Sequence, residues 1–341
     1  MRVLLVDVDS VWANLALMKI GAWHKSRGDS VQLLRLPRLW KPTWGKAVQL
    51  QIKCGGYNFD KAYISCIFTK NREKAESIAS MMKALGATVE VGGSGVSLEK
   101  QLPDDVEHQM PLYELYGLQY SMGFTTRGCV RRCPWCLVWR KEGDIKPWSP
   151  LKEFLHPRHD KVMLLDNNLL AYNGHMEILE EIVKRRLQVC FTQGLDIRLI
   201  DDQNAKWLRL THYRDTEFKQ PRLYFSWDTL EIEDEVARGI ATLKRHGIPP
   251  GHLLFYMLCA YNIKAEDYTW EYFMENDWYR YKRLAEMGVK PFVMKWNGRT
   301  DIKLLNAFAK WVNYKHRAKR RDLGLLNSFK SYLKYEYDVE V

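Results

Sequence analysis

Three cysteines stand close together in the segment formed by residues 123–143. Cys129, Cys133 and Cys136 have the spacing C-x3-C-x2-C. Three thiolates can hold a cubic [4Fe–4S] cluster while one of its irons keeps no protein ligand. An iron with an open coordination position can bind a substrate or a cofactor directly. The spacing therefore predicts a reactive iron–sulfur site with these three cysteines as its metal ligands.

A structural zinc site is the alternative for the same residues. Structural zinc takes four ligands, usually in two close pairs, and no second close pair of Cys or of Cys and His follows in the chain. An odd number of cysteines in a long chain without a secretory leader disfavours a disulfide framework. The isolated cysteines are interpreted as small buried apolar residues. They are Cys54, Cys66, Cys190 and Cys259.

The cysteine array, with Trp135 in the position before Cys136, resembles the signature loop of the radical S-adenosylmethionine (SAM) enzymes. The resemblance implies that the methionyl amine and carboxylate of SAM chelate the open iron. It also implies that an electron from the reduced cluster splits the sulfonium and gives a 5′-deoxyadenosyl radical, which removes a hydrogen atom from the substrate. An electron donor such as a flavodoxin or a ferredoxin is then an expected partner.

Apolar strands and helical stretches alternate from the first residue to about residue 95, which predicts a doubly wound α/β domain with parallel strands. The predicted strands are 2–8, 31–36, 63–68 and 88–91, and the predicted helices are 13–27 and 71–85. The stretch 37–57, rich in Trp, Lys and Gly, interrupts this alternation.

This half resembles the cobalamin-binding-type domain that precedes the core of many radical SAM enzymes. The order of strands, the Gly92-Gly93 turn and the linker at Leu102-Pro103 carry the resemblance. The chain has no Asp-x-His-x-x-Gly, so that motif supplies no histidine ligand to cobalt, and His24 is interpreted as a surface or core residue. Two alternatives stay open: cobalamin binds without a protein ligand, or the domain has kept the fold and lost the cofactor.

A second α/β series runs from residue 120 to about residue 298. Its predicted strands are 119–124, 162–165, 189–193, 223–227, 253–259 and 291–295, with helices at 175–186, 202–208, 233–246 and 272–287. The series resembles the partial, TIM-like (β/α)6 barrel of radical SAM enzymes. The predicted domains are thus a Rossmann-like domain over 1–110, the barrel with its cysteine loop over 111–300, and a helical, basic extension over 301–341.

Reactive groups of such barrels lie at the C-terminal ends of the strands. The second strand is followed by Asp166, Asn167 and Asn168. By position they resemble the family's second motif, which contacts the methionyl amine of SAM, although its Gly-Gly-Glu-Pro form is absent. A carboxylate or an amide oxygen can accept from an ammonium group. The alternative is an Asn/Asp turn that caps the next helix.

The third strand ends at Gln193 and is followed by Gly194, Asp196 and Arg198. Arg198 suits the carboxylate of SAM, Asp196 suits a ribose hydroxyl or a substrate, and Gly194 allows the backbone to approach a ligand closely. An ion pair between Asp196 and Arg198 is the competing interpretation.

The fourth strand is followed by Asp228, which suits a ribose or substrate contact, with a helix N-cap as the alternative. Trp227 and Trp296, at the ends of the fourth and sixth strands, are candidates for a wall of the adenine or substrate site, or plain packing. No residue is assigned as catalytic. The substrate stays open, and so does the choice between methylation and another C–H functionalisation.

The formal net charge of +11 and a pI near 9.2 favour an acidic partner or a nucleic acid. The basic run at 315–321 is more typical of a solvated helix face. A non-catalytic nucleic-acid-binding protein with a structural metal site is the rival interpretation. Asp7 and Asp9 interrupt the first apolar segment, so it is predicted to be a strand rather than a signal peptide, and no membrane partner is expected. The expected location is the reducing cytoplasm.

Overall fold

The computed structural model describes residues 1–36, 58–315 and 326–337. They form a mixed α/β protein with parallel sheets. The chain divides into two compact units, the first made of Met1–Gly123 with Ser149–His159 and the second of Phe124–Trp148 with Asp160–Val341. Cys54, the stretch 37–57 and residues 316–321 of the basic run lie outside the described residues.

The first unit is built on four parallel strands in the order β2-β1-β3-β4. Its strands and longer helices are β1 (Arg2–Asp7), α1 (Leu15–Ser26), β2 (Ser30–Arg35), β3 (Lys61–Ser65), α2 (Arg72–Ala84) and β4 (Thr88–Gly92). The unit continues with α3 (Asp104–Glu107) and β5 (Ser121–Gly123).

Both faces of this sheet are covered, which explains the unbroken apolar run of β1. Leu4 and Val6 pack with Ile78 of α2, whereas Val3 and Leu5 share a second cluster with α1. The side chain of Asn14 caps α1 by accepting from the backbone N–H of Leu17 at 3.1 Å. The first unit is therefore doubly wound, as the sequence predicts.

The second unit contains two groups of parallel strands and one antiparallel pair. The pair is β6 (Thr126–Arg127) with β7 (Lys146–Pro147), and α4 (Val138–Lys141) lies in the loop between them. The first parallel group is β8 (Lys161–Leu164), β9 (Gln188–Phe191) and β10 (His212–Tyr213). The second is β11 (Leu223–Ser226), β12 (Leu253–Cys259) and β13 (Lys290–Lys295).

Gly194 lies where the two groups meet, because the backbone N–H of Leu195 donates to the carbonyl oxygen of Tyr224 at 2.8 Å. Gly194 has φ +92°, and a Cβ there would lie 3.3 Å from the same oxygen. Within the described residues, Gly194 therefore closely approaches the backbone of β11, and the approach to a ligand that the sequence predicts at this position stays a prediction. The short strand β10 was not predicted from the sequence.

The helices of the second unit follow its strands and continue beyond β13. They are α5 (His175–Lys184), α6 (Asp202–Leu210), α7 (Glu233–Arg245), α8 (Trp270–Phe273), α9 (Tyr279–Glu286), α10 (Lys303–Lys315) and α11 (Leu326–Tyr337). A π-helical segment, Met274–Trp278, separates α8 from α9, where the sequence predicts one continuous helix. Among the described helices, none combines the length and apolar character needed to cross a membrane.

Candidate metal and cofactor site

The cysteine loop of the second unit is closed at its base by β6 and β7, which pair Thr126 with Pro147 and Arg127 with Lys146. The backbone N–H of Cys129 donates to the carbonyl oxygen of Gly143 at 3.2 Å. Gly128 has φ +87°, and a Cβ at this position would overlap the backbone carbonyl of Asp144. Glycine is therefore required for the loop to turn back on itself just before the first cysteine.

The three cysteines of this loop are unpaired and half-buried. Backbone N–H groups of Arg131 and Val138 donate to the sulfurs of Cys129 and Cys136 at 3.3 and 3.4 Å. Burial raises the pKa of the Cys133 thiol, and the positive charge of Arg198 acts in the opposite direction. Metal ligands must be thiolates, so N–H donors and a nearby cation suit a metal group at this loop.

No three His, Cys, Asp or Glu side chains of the described residues are grouped so that they could hold a single metal ion. A cubic iron–sulfur cluster does not need such a group, since each of its cysteines binds a different iron. The donor set of the loop, three sulfurs with N–H groups directed at two of them, fits a cluster of this kind.

Asp166, which follows β8, is buried and anchors the start of the cysteine loop. Its Oδ1 accepts from the hydroxyls of Thr125 and Thr126 at 2.5 and 2.7 Å and from the N–H of Thr126 at 2.6 Å, and its Oδ2 accepts from the N–H of Thr125 at 3.2 Å. Burial raises the pKa of Asp166, while these four donors act against that shift. The carboxylate is therefore engaged by the cysteine loop, and its predicted contact with the methionyl amine of SAM stays a prediction.

Asn167 and Asn168 contact the next residues of the cysteine loop, Gly128 and Cys129. The Oδ1 of Asn167 accepts from the N–H of Gly128 at 3.0 Å. Asn168 is buried, and its Nδ2 donates to the sulfur of Cys129 at 3.3 Å and to Asp196 at 3.4 Å. The Oδ1 of Asn168 is also buried but accepts no hydrogen bond from any residue that the structure describes. An unpaired buried acceptor costs about 1–3 kcal/mol, which a donor group on a ligand would remove.

Asp196 and Arg198 form the ion pair that was the alternative interpretation of this segment. The Nε and Nη2 of Arg198 lie 2.6 and 3.1 Å from the oxygens of Asp196, and the Nε of Arg131 donates to the same carboxylate at 2.9 Å. Burial alone would raise the pKa of Asp196, but the two guanidinium groups hold it below its usual value. Asp196 thus keeps two cations beside the cysteine loop. Gln193 is exposed on the turn before them.

Asp228 is half-buried at the end of β11, and its Oδ1 accepts from the backbone N–H of Leu258 at 3.0 Å. It therefore ties β11 to β12, a role different from the helix N-cap that was its alternative. Burial raises the pKa of Asp228. Burial raises the pKa of the Cys136 thiol, as it does that of Cys133, and the negative charge of Asp228 adds to the rise at both. Asp228 thus belongs to the electrostatic surroundings of the cysteines.

A buried charged pair that sequence reasoning missed supports the ends of the same two strands. Arg280 donates to the carbonyl oxygens of Trp227 at 2.7 Å and Leu258 at 2.9 Å, and it pairs with Asp277 at 2.5 Å. The hydroxyl of Tyr268 donates to the other oxygen of Asp277 at 2.5 Å. Asp277 lies in the π-helical segment, a feature often found near functional sites, and no sequence pattern pointed to it.

Trp135, Tyr261 and Trp296 form a row of aromatic rings, which we call the aromatic row. Trp135 meets Tyr261 edge-on with centroids 5.2 Å apart, and Tyr261 meets Trp296 at 4.9 Å. Ala260 and Asn262, on either side of Tyr261, have φ of +58° and +52°. Left-handed backbone in residues other than glycine is costly and is common at ligand sites. Sequence reasoning named both tryptophans but missed Tyr261.

Trp227, in contrast, is fully buried, and its Nε1 donates to the carbonyl oxygen of Thr229 at 2.7 Å. Its surroundings agree with the packing role that was the alternative for this residue.

No protein-family model and no curated protein matches the chain. Among solved structures, the chain is similar to the apo, selenomethionine-labelled form of OxsB, a cobalamin-dependent S-adenosylmethionine radical enzyme. The TM-score is 0.49 and the sequence identity 12%, over 75% of this chain and 49% of OxsB. The chain thus spans about half the length of that protein.

Proposed function

We propose that this chain is a radical SAM enzyme that holds a [4Fe–4S] cluster on Cys129, Cys133 and Cys136. One observation carries the proposal: among the described residues, the buried amide oxygen of Asn168 has no hydrogen-bond partner, and the amide nitrogen of the same side chain contacts the sulfur of Cys129. A place for three metal ligands and a place for a donor group on a ligand therefore lie side by side.

The residues around the loop have separate roles in this proposal. When bound, the reduced cluster and SAM would supply a 5′-deoxyadenosyl radical for hydrogen abstraction from a substrate. Asn168 would accept from the methionyl ammonium through its Oδ1. Arg198, whose positive charge opposes the rise in the pKa of the Cys133 thiol, would attract the methionyl carboxylate. The aromatic row would form an apolar wall that excludes water from the radical.

Cobalamin binding by the first unit is a separate question from cluster binding by the second. His24 is fully buried, with hydrogen bonds to Asp29 at 2.6 Å and to Tyr63 at 3.0 Å, so it is a core residue and not a cobalt ligand. If cobalamin binds this unit, it does so without His24. A titration with hydroxocobalamin, followed by its visible absorption, decides whether the first unit binds cobalamin without a protein ligand or has kept the fold and lost the cofactor.

Anaerobic reconstitution with iron and sulfide tests the main proposal. The reconstituted wild-type chain should be coloured and, once reduced by dithionite or by a flavodoxin, should form 5′-deoxyadenosine from SAM. Cys133→Ala should abolish both signals, because it removes one of three metal ligands. Cys190→Ala is the matched control, since Cys190 is buried within β9, and it should retain both.

Two results would contradict the proposal. One is a wild-type chain that takes up iron and sulfide but yields no 5′-deoxyadenosine. The other is a Cys133→Ala chain that still cleaves SAM, which would remove Cys133 from the ligand set.

A further inference from the structure

A second concave site lies in the second unit, at the N-terminal ends of its strands. This cleft has a volume of about 320 Å³, and its lining includes Arg209, His212, Tyr213, Arg214 and His252. His212 and Tyr213 form β10, which pairs with the first two residues of β9, and His252 directly precedes β12.

Opposite strand ends separate this cleft from the candidate metal site. Asp228 and Tyr261 follow the C-terminal ends of β11 and β12, whereas His252 directly precedes β12 and His212 and Tyr213 pair with the first two residues of β9. The cleft therefore shares none of its lining residues with the site proposed above.

Positive charge is concentrated in the cleft. In the part of the chain that the structure describes, neither Arg209 nor Arg214 forms an ion pair with a carboxylate. Arg222 and Lys290 add two further cations close enough to act on His252. Burial, together with the charges of these four cations, lowers the pKa of His252. Like charges gathered in one place repel each other, and an anion bound among them would relieve that repulsion.

Neutral hydrogen-bonding groups lie beside these cations. The hydroxyl of Tyr213 and the Nδ1 of His252 share a hydrogen bond at 2.9 Å, which leaves the Nε2 of His252 as a further polar atom of the ring. Arginine is the side chain best suited to phosphate, since its guanidinium offers several N–H donors in one plane. A volume of this size lies at the lower end of the range of small-molecule sites.

We propose that the cleft binds the phosphate group of a small phosphate monoester, with Arg209 and Arg214 as its charged ligands and Tyr213 and His252 as polar neighbours. The proposal goes beyond the radical SAM function, because it uses no residue of the cysteine loop. It also gives the net positive charge of the chain a defined binding partner.

Isothermal titration calorimetry on the full-length chain tests this inference with four probes. Inorganic phosphate and adenosine 5′-monophosphate should bind, and adenosine should not, because the phosphate is the recognised group. A single-stranded oligonucleotide without terminal phosphates represents a nucleic-acid backbone and should not compete with adenosine 5′-monophosphate.

Charge-neutral variants locate the site. Arg209→Gln and Arg214→Gln should each weaken binding of adenosine 5′-monophosphate at least tenfold, and Arg214→Lys should weaken it less. Arg238→Gln removes the same charge from an exposed position of α7 outside the cleft and should bind like the wild type. Thermal unfolding of each variant checks that the fold is kept.

The inference is overturned if wild-type protein binds neither inorganic phosphate nor adenosine 5′-monophosphate. It is equally overturned if Arg238→Gln weakens binding as much as the two cleft variants, since the effect would then be one of net charge. Binding of the oligonucleotide in place of adenosine 5′-monophosphate would assign the cleft to a nucleic acid and reject the monoester.

Discussion

The two units present polar side chains at the same place, the C-terminal ends of parallel strands, but use them differently. In the first unit, Asp7 accepts from the N–H of Ser10 at 3.0 Å and from the hydroxyl of Tyr116 at 2.9 Å. Asp9 accepts from the N–H groups of Ile67 and Phe68 at 2.7 and 3.0 Å, and from the side chain of Asn71. These carboxylates hold loops in place.

The second unit also uses a carboxylate at a strand end to hold a loop in place. In addition, it contains a buried unsatisfied acceptor, which Asp7 and Asp9 do not provide. Asp166 likewise accepts from loop residues, namely Thr125 and Thr126. Two residues later, however, Asn168 has a buried oxygen beside a cysteine thiol, and this oxygen has no partner in the part of the chain that the structure describes. A polar residue at a strand end is therefore not in itself a sign of a ligand site. The informative sign is a buried polar atom that the protein leaves unsatisfied.

The largest effect is expected at the two loop anchors, Asp166 and Asp9. Asp166→Asn replaces a charged acceptor with an amide whose NH2 faces donors. Hydrogen bonds to charged groups contribute about 1.5–3 kcal/mol each, so we expect the free energy of unfolding to fall by roughly 3 kcal/mol. Because Asp166 holds the residues just before Cys129, iron uptake should fall as well. Urea unfolding and iron analysis of the reconstituted chain measure the two effects.

Asp9→Asn is the matched change in the first unit. It should destabilise the chain by a similar amount, since three N–H donors lose their charged acceptor, yet leave iron uptake unchanged. Equal loss of iron in both variants would mean that general destabilisation, and not the anchoring of the cysteine loop, controls cluster binding.

Two glycines, one in each unit, allow the same comparison for the backbone. Gly128 and Gly93 have φ of +87° and +95°, and a Cβ at either would overlap a backbone carbonyl, that of Asp144 or that of Cys66. Alanine at each position should cost about 2 kcal/mol of unfolding free energy. Only Gly128→Ala should also lower the iron content, because it displaces the backbone directly before Cys129. If Gly93→Ala lowers the iron content as strongly, the contrast between the units fails.

Much of the secondary structure could be predicted from the sequence, since it depends on local periodicity and on glycine positions. β12 lies where the apolar run predicts it, and α7 ends one residue before the predicted end. The break between α8 and α9 could not be predicted, because the apolar spacing continues through the π-helical segment. Short strands such as β10 carry too few residues to show a period.

The partners of the site residues were harder to predict than their positions. The residues selected at the strand ends, Asp166, Asn168, Asp196 and Asp228, contact the cysteine loop or act on its thiols, while their predicted contacts with SAM or a substrate stay predictions. The sequence could not tell which oxygen faces a ligand, because this depends on contacts between residues far apart in the chain. Thr126, which binds Asp166, is 40 positions away, and Leu258, which binds Asp228, is 30 positions away.

The smallest and most specific effect is expected at Asn168 itself. Asn168→Ala removes the unpartnered oxygen while the three cysteines remain, so the reconstituted chain should keep its iron but bind SAM about tenfold more weakly, a loss of roughly 1.4 kcal/mol. Equilibrium binding of SAM to the reconstituted protein measures this loss of affinity.

Asn14→Ala is the control, because Asn14 is equally buried in the first unit but has its amide groups satisfied by Ser10, Ser65 and Leu17. Asn14→Ala should lower stability and leave the affinity for SAM unchanged. Unchanged affinity in Asn168→Ala would show that the unsatisfied oxygen does not face SAM. The difference between the strand ends of the two units would then not mark a SAM site.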